Sequence, residues 1–188
     1  GDINKNYPGD EIIACHINAH PARLKIYSYN EESAEADKIF SMKPFPELEA
    51  DKDFGGCAGL VIGDIDRDGE NEIIVAKNQQ SHSDLNASLE KLVVFNSQGE
   101  EQKDIELNHY VSTTYHLVLK LNDADGDGYE DELFLWGNQW PSSKDDPLIA
   151  IDGNGEELFY DPYYNGSHSQ IWISDIDGNQ KDEIIRFK

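Results

Sequence analysis

Asp64-Ile-Asp66-Arg-Asp68-Gly69-Glu70-Asn-Glu72-Ile-Ile-Val75 is the stretch that decides the fold, because near copies of it recur along the chain. One runs Asp123-Ala-Asp125-Gly-Asp127-Gly128-Tyr129-Glu-Asp131-Glu-Leu-Phe134, and another runs Asp175-Ile-Asp177-Gly-Asn179-Gln-Lys181-Asp-Glu183-Ile-Ile185. A degenerate copy opens the chain as Asp2-Ile-Asn4-Lys-Asn6, followed by Asp10-Glu-Ile-Ile13. The first aspartates lie 62, 59 and 52 residues apart, which is the mark of a repeat protein. Side-chain oxygens at positions 1, 3 and 5 of a tight loop converge on one point. A carbonyl at position 7 (Glu70, Tyr129, Lys181) and a carboxylate at position 9 (Glu72, Asp131, Glu183, with Asp10 in the first loop) would close a cage of hard oxygens suited to Ca2+. Glycine at position 6 (Gly69, Gly128) allows a turn that a side chain would obstruct.

An EF-hand begins in the same way but requires a bidentate glutamate at position 12 and flanking helices. Position 12 here is Val75, Phe134 and Arg186, and the residues after each loop are apolar and β-prone, so strands are expected. Acidic residues also favour turns and solubility without binding anything. Three copies in one register weigh against that simpler reading. The first loop is weaker, with Asn4 and Asn6 in place of aspartates, and Gln180 replaces glycine in the last. Three to four Ca2+ ions are therefore expected.

Each unit reads as four strands. In the second unit these are Gly59–Ile62, Glu72–Ala76, Lys91–Phe95 and Gln102–Glu106; in the third, Tyr115–Leu121, Glu132–Trp136, Leu148–Ile151 and Glu157–Tyr160. The turns Asn96–Glu100 and Asp152–Glu156 match each other and place glycine where a hairpin needs positive φ. No sustained helical period occurs; residues 31–37 read as polar turn or short helix at most. The expectation is one all-β domain over residues 1–188, a β-propeller-like array of antiparallel four-stranded blades. Its repeats span about 2–63, 64–122 and 123–174, with a partial blade at 175–188. Incomplete terminal blades leave unpaired edges, which a larger ring, self-association or strand exchange would resolve. A start at Gly1-Asp2, inside a loop, points to processing or a fragment boundary.

The pattern from Gly63 through Val75 resembles the calcium-loop segment of FG-GAP and VCBS repeats, which build the headpiece propeller of integrin α subunits and many secreted bacterial propellers. Phe54-Gly55-Gly56 and Ala58-Gly59 are similar in part to that family's namesake residues. The resemblance implies a stabilising metal on one rim, with Asp64, Asp66, Asp68, Glu72 and their equivalents as ligands.

The chain of 188 residues carries 38 acidic and 15 basic groups, a formal charge of -23, so nucleic acid and anionic membranes are poor partners. Four divalent ions would offset eight of those charges. No run of 18 apolar residues is present, hence no membrane insertion is expected. Cys15 and Cys57 fall in strand-like segments of neighbouring repeats and read equally as one bridge or two buried thiols. Asn86 and Asn165 open glycan-acceptor triplets. Sites of this kind suit the millimolar calcium outside cells, which favours an extracellular or secreted, cell-surface location.

Asn18, Asn78 and Asn138 recur at intervals of 60 at the turn after the second strand, with Trp140 two residues beyond the last. They read either as turn-closing asparagines or as a ring for a sugar or peptide. Trp136 and Trp172 read as core; Trp140 and Tyr163-Tyr164 read as surface aromatics. No nucleophile elbow, phosphate loop or zinc set is found, so no catalytic residue is assigned. Two functions follow. One is a non-catalytic, calcium-stabilised extracellular module for adhesion, recognition or assembly, whose partner is an extracellular protein or a glycan. The other is the propeller portion of a secreted polysaccharide lyase, similar to some rhamnogalacturonan lyases; it would need a basic cleft for an acidic sugar, and the scarcity of lysine and arginine favours the first reading.

Overall fold

In a computed structural model the chain is described at residues 3, 11–16, 23–30, 35–42, 56–79, 88–109, 111, 116–138, 147–162 and 170–187. Every regular element among them is a β-strand, and every pairing is antiparallel. The first sheet comprises β1 (Glu11–His16), β2 (Arg23–Asn30) and β3 (Glu35–Met42), paired in that order. The second holds β4 (Gly56–Gly63), β5 (Glu72–Gln79), β6 (Ser88–Phe95) and β7 (Glu101–Glu106). The third holds β8 (His116–Asn122), β9 (Glu132–Asn138), β10 (Leu148–Ile151) and β11 (Glu157–Asp161). The fourth pairs β12 (Gln170–Ser174) with β13 (Glu183–Phe187). The strands expected in the second and third units are all present, most of them a few residues longer. Residues 35–37, read from their polarity as turn or short helix, instead begin β3: pairing with β2 overrides composition at a sheet edge.

Strand alternation explains how the sheets stack. Ile73, Val75, Val93 and Phe95 face the first sheet, where they bury against Leu24 and Ile26. Their neighbours Ile74, Ala76, Leu92 and Val94 face the third sheet and bury against Leu121, Leu133, Leu135, Ile149 and Ile151. Phe134, Trp136, Leu148 and Ala150, on the other face of the third sheet, pack against Ile173 of the fourth. The central strands are thus apolar on both faces, and a fully buried side chain such as Phe95 contributes roughly 1.5–3 kcal/mol by leaving water. The outer strands β7 and β11 are mostly exposed. Trp136 is core as expected. Trp172 is not: it is 61% exposed, because the face of β12–β13 that carries it meets no further sheet among the described residues.

Close approach between sheets demands glycine at two places. A side chain at Gly63 would strike Leu121 of β8, and one at Gly153 would fall 1.9 Å from the carbonyl oxygen of Ile65. Both hairpin turns form as the sequence implied. Gly99 and Gly155 have φ of 78° and 90°, while Asn96 and Asp152 accept two backbone N–H groups each through Oδ1. At the outer edge of the same junction, His109 stacks on Tyr160 at 3.6 Å between ring centres.

Cys15 of β1 and Cys57 of β4 form a disulfide, with Cα atoms 6.1 Å apart, tying the first sheet to the second. The bridge spans 42 residues of chain, so its loss should cost roughly 3–4 kcal/mol through freed unfolded-state entropy. Reduction, or paired Cys15→Ser and Cys57→Ser changes, should lower the denaturant midpoint accordingly. An unchanged midpoint would show that the bridge contributes nothing.

Candidate metal centres

Each acidic loop enters from an inner strand, turns at one end of its sheet and leaves as the next strand. β4 feeds residues 64–71 into β5, β8 feeds 123–131 into β9, and β12 feeds 175–182 into β13. The three loops share one internal hydrogen-bond pattern. Oδ1 of the first aspartate accepts the N–H of position 5, at 3.1 Å from Asp68, 3.2 Å from Asp127 and 3.1 Å from Asn179. Its Oδ2 accepts the N–H of position 6, at 2.9 Å from Gly69 and 2.8 Å from both Gly128 and Gln180. Oδ1 at position 5 accepts the N–H of Glu70, Tyr129 or Lys181 at position 7.

The backbone turns left-handed twice per loop. Gly69, Gly128 and Gln180 have φ of 85°, 93° and 72° at position 6, and Arg67, Gly126 and Gly178 have 64°, 81° and 77° at position 4. The need for glycine at position 6 is legible in the sequence; that at position 4 is not, because arginine occupies it in the clearest loop. Arg67 and Gln180 are strained there, as L side chains crowd the backbone at positive φ.

Carboxylate oxygens gather as a result. Asp64, Asp66 and Glu72 each bring one oxygen within 4.8 Å of the others, as do Asp123, Asp125 and Asp127 in the second cluster, and Asp175, Asp177 and Glu183 in the third. Oxygen-only donor sets of this kind fit a hard divalent cation such as Ca2+. A bound ion would supply charge neutralisation; the residues supply the converging oxygens.

The closing carboxylate corrects the position-9 reading. Oε2 of Glu72 accepts the N–H of Ile65 at 3.1 Å, and Oε2 of Glu183 accepts that of Ile176 at 2.8 Å. The same role in the 123 loop belongs to Glu132, not Asp131: Oε2 of Glu132 accepts the N–H of Ala124 at 2.7 Å. At the start of the chain it belongs to Glu11, whose Oε2 accepts the N–H of Ile3 at 2.8 Å. Glu11 is 4% exposed, and its Oε1 is buried with no hydrogen-bond partner among the described residues. These two loops are one residue longer than the others. Counting from the first aspartate misplaces the glutamate, whereas aligning on the Glu-aliphatic pair that opens each following strand (Glu11-Ile12, Glu72-Ile73, Glu132-Leu133, Glu183-Ile184) finds it.

The aspartate before the closing glutamate reaches to the preceding loop instead. Asp131 accepts two hydrogen bonds from the Arg67 guanidinium, both at 2.9 Å. Arg67 also pairs with Asp127 at 2.5 Å and lies 4.8 Å over the Tyr129 ring. Asp182 likewise accepts the side-chain N–H of Asn122 at 2.6 Å and the backbone N–H of Asp123 at 3.2 Å. These contacts lock neighbouring loops together, and the bond to Asp131 raises the Arg67 pKa above its ordinary value.

Of the other sequence candidates, Asp2, Asn4, Asn6, Asp10, Asn18, Trp140, Asn86 and Asn165 lie outside the described residues. Asn78 and Asn138 sit within strands rather than turns, paired with Gly56 and His116, at the strand ends remote from the acidic loops.

No family model, curated protein or solved structure matches the chain.

Burial, reinforced by Asp66, Asp68 and Asp64, pushes the Glu72 pKa up to about 7 against the pull of the Ile65 N–H. Burial likewise raises Glu132, with Asp131, Asp125 and Asp123 adding to the effect and the Ala124 N–H opposing it. A carboxyl group with a raised folded-state pKa holds its proton more tightly when folded, so stability falls as pH rises through that window. In chelator, the melting temperature should fall between pH of about 4.5 and about 7, and calcium should abolish the fall. A flat profile in chelator would contradict the crowding of these carboxylates.

Proposed function

We propose that the protein is an extracellular, calcium-stabilised propeller-type repeat module that serves adhesion, recognition or assembly without catalysis. The observation that carries this reading is the recurrence of a converging carboxylate cluster in the first inter-strand loop of three successive sheets. Asp64, Asp66, Asp68 and Glu72 would hold one ion. Asp123, Asp125, Asp127 and Glu132 would hold a second, and Asp175, Asp177, Asn179 and Glu183 a third. Glu11, buried with one oxygen unpaired among the described residues, supports a fourth. Neutralising each cluster removes the repulsion that otherwise opposes the turn, so the ions act on stability and not on a reaction.

Stacked sheets whose inner strands adjoin, β4 beside β8, support a propeller-type array. The Cys15–Cys57 bridge suits an oxidising compartment. A cavity of about 410 Å³ lies between the first two described loops and the Asp152–Asn154 turn. Asp66, Asp125, Asp131 and Asp152 line it, and its one cation, Arg67, is already bonded to Asp131 and Asp127. With that cation engaged, the lining offers no free positive group to an acidic sugar, which favours the non-catalytic reading over a lyase.

Titration calorimetry of the chelator-stripped protein should give three to four calcium equivalents and a raised melting temperature. Glu132→Gln should weaken one site roughly tenfold or more, because a hard cation then loses a charged ligand. Asp131→Asn should leave the number of sites unchanged while loosening the Arg67 contact. The reverse pattern would return Asp131 to the cage and overturn this ligand assignment. No calcium heat at all would overturn the function.

A further inference from the structure

Position 4 is where each acidic loop meets the next. In the 123 loop it is Gly126, and a side chain there would crowd Lys181 and the carbonyl oxygen of Gln180 in the 175 loop. In the 64 loop it is Arg67, at a φ of 64° where Gly126 and Gly178 have 81° and 77°. Glycine would adopt this backbone without crowding, so the strain at Arg67 is offset by what its side chain reaches. That side chain crosses to the 123 loop. Its guanidinium donates twice to Asp131, which is 5% exposed, and pairs with Asp127, one of the three aspartates that gather there. The ring of Tyr129, from the same loop, lies 4.8 Å from the guanidinium carbon. A nearly buried carboxylate is costly to leave without its counter-charge, so this contact is firmer than an exposed ion pair.

Both ends of the contact belong to closed loops. The left-handed turn at Arg67 is part of the closed 64 loop, in which Asp64 accepts the N–H groups of Asp68 and Gly69. At the other end the guanidinium sits against both Asp127 and Asp131 and offsets their mutual repulsion, which favours the closed 123 loop. An ion that closes the 64 loop thereby sets the guanidinium where it helps to close the 123 loop, and linkage makes the effect reciprocal. The positive charge brought to the second cage arrives already paired with Asp131, so the ordering outweighs repulsion between guanidinium and ion. We propose that Arg67 couples the two loops, so that a divalent cation bound in either raises the affinity of the other. The inference rests on the calcium reading above and concerns how its sites act on one another.

Calcium titration of the full chain, followed through amide NMR shifts, tests it, because each loop has its own reporter. The N–H of Gly69 donates to Asp64 and that of Gly128 to Asp123, so each shifts as its own loop fills. Asp64→Asn weakens the cage of the 64 loop, and Asp66→Asn replaces it if circular dichroism shows loss of fold. Either change should raise the calcium midpoint at Gly128 roughly tenfold, within the range usual for coupled sites. Arg67→Gly relieves the backbone and removes the guanidinium; if it does not fold, Asp131→Asn breaks the same contact from the other side. In that background, adding Asp64→Asn should leave the Gly128 midpoint unmoved. A Gly128 midpoint that stays put or falls on Asp64→Asn with Arg67 present overturns the proposal. So does a tenfold shift that survives Arg67→Gly, since the coupling would then run by another route. No response at any loop amide would overturn the calcium reading and the coupling with it, whereas responses at both glycines without the shift would overturn the coupling alone.

Discussion

Three carboxylates held with their oxygens within 4.8 Å of one another are the constraint on which this structure turns. Like charges at that spacing repel, and burial of the closing glutamate adds a desolvation cost. Backbone N–H groups at positions 2, 5, 6 and 7 offset part of that cost by donating to the same carboxylates. What they leave unmet is net negative charge, which a divalent cation neutralises. The loops set where β5, β9 and β13 begin, and the glutamate that closes each loop is also the first residue of the strand that follows. Loop chemistry and strand register are therefore the same fact.

That coupling explains why the sheets stack as they do. Once Glu72, Glu132 and Glu183 fix the first residue of their strands, alternation sends successive aliphatic residues to opposite neighbours. A slip of one residue would exchange Ile73 with Ile74 and turn both buried faces inside out. The rim contacts reinforce the arrangement. Arg67 joins Asp131 across one junction, Asp182 joins Asn122 and Asp123 across the next, and the Cys15–Cys57 bridge secures the first. The aspartate that precedes the closing glutamate is thus a strut between loops.

Most of the fold could be read from the residues. Alternation and turn glycines located the strands of the second and third units, because their apolar runs are long and bounded by acidic loops or by the Asn96 and Asp152 turns. The start of β3 was hidden, since Glu35, Ala36 and Asp37 have no strand propensity and are extended only through pairing with β2. Trp172 was misplaced in the core because periodicity tells which face a residue occupies, not whether another sheet covers that face. In the loops the aspartates at positions 1, 3 and 5 were legible from spacing. Glu132 and Glu11 were not, because one extra residue in each loop shifts the closing carboxylate past its expected position. Nor does the sequence reveal that Arg67, in a loop of acids, is held by an aspartate 64 residues away.

The most direct measurement is an anomalous difference map from crystals grown in calcium. The account predicts peaks inside the loops of Asp64, Asp123 and Asp175, each touching its closing glutamate, with Asp131 remaining on Arg67. Loops that keep this shape in abundant calcium with no peak, or with the Arg67 guanidinium filling the space between the aspartates, would contradict it.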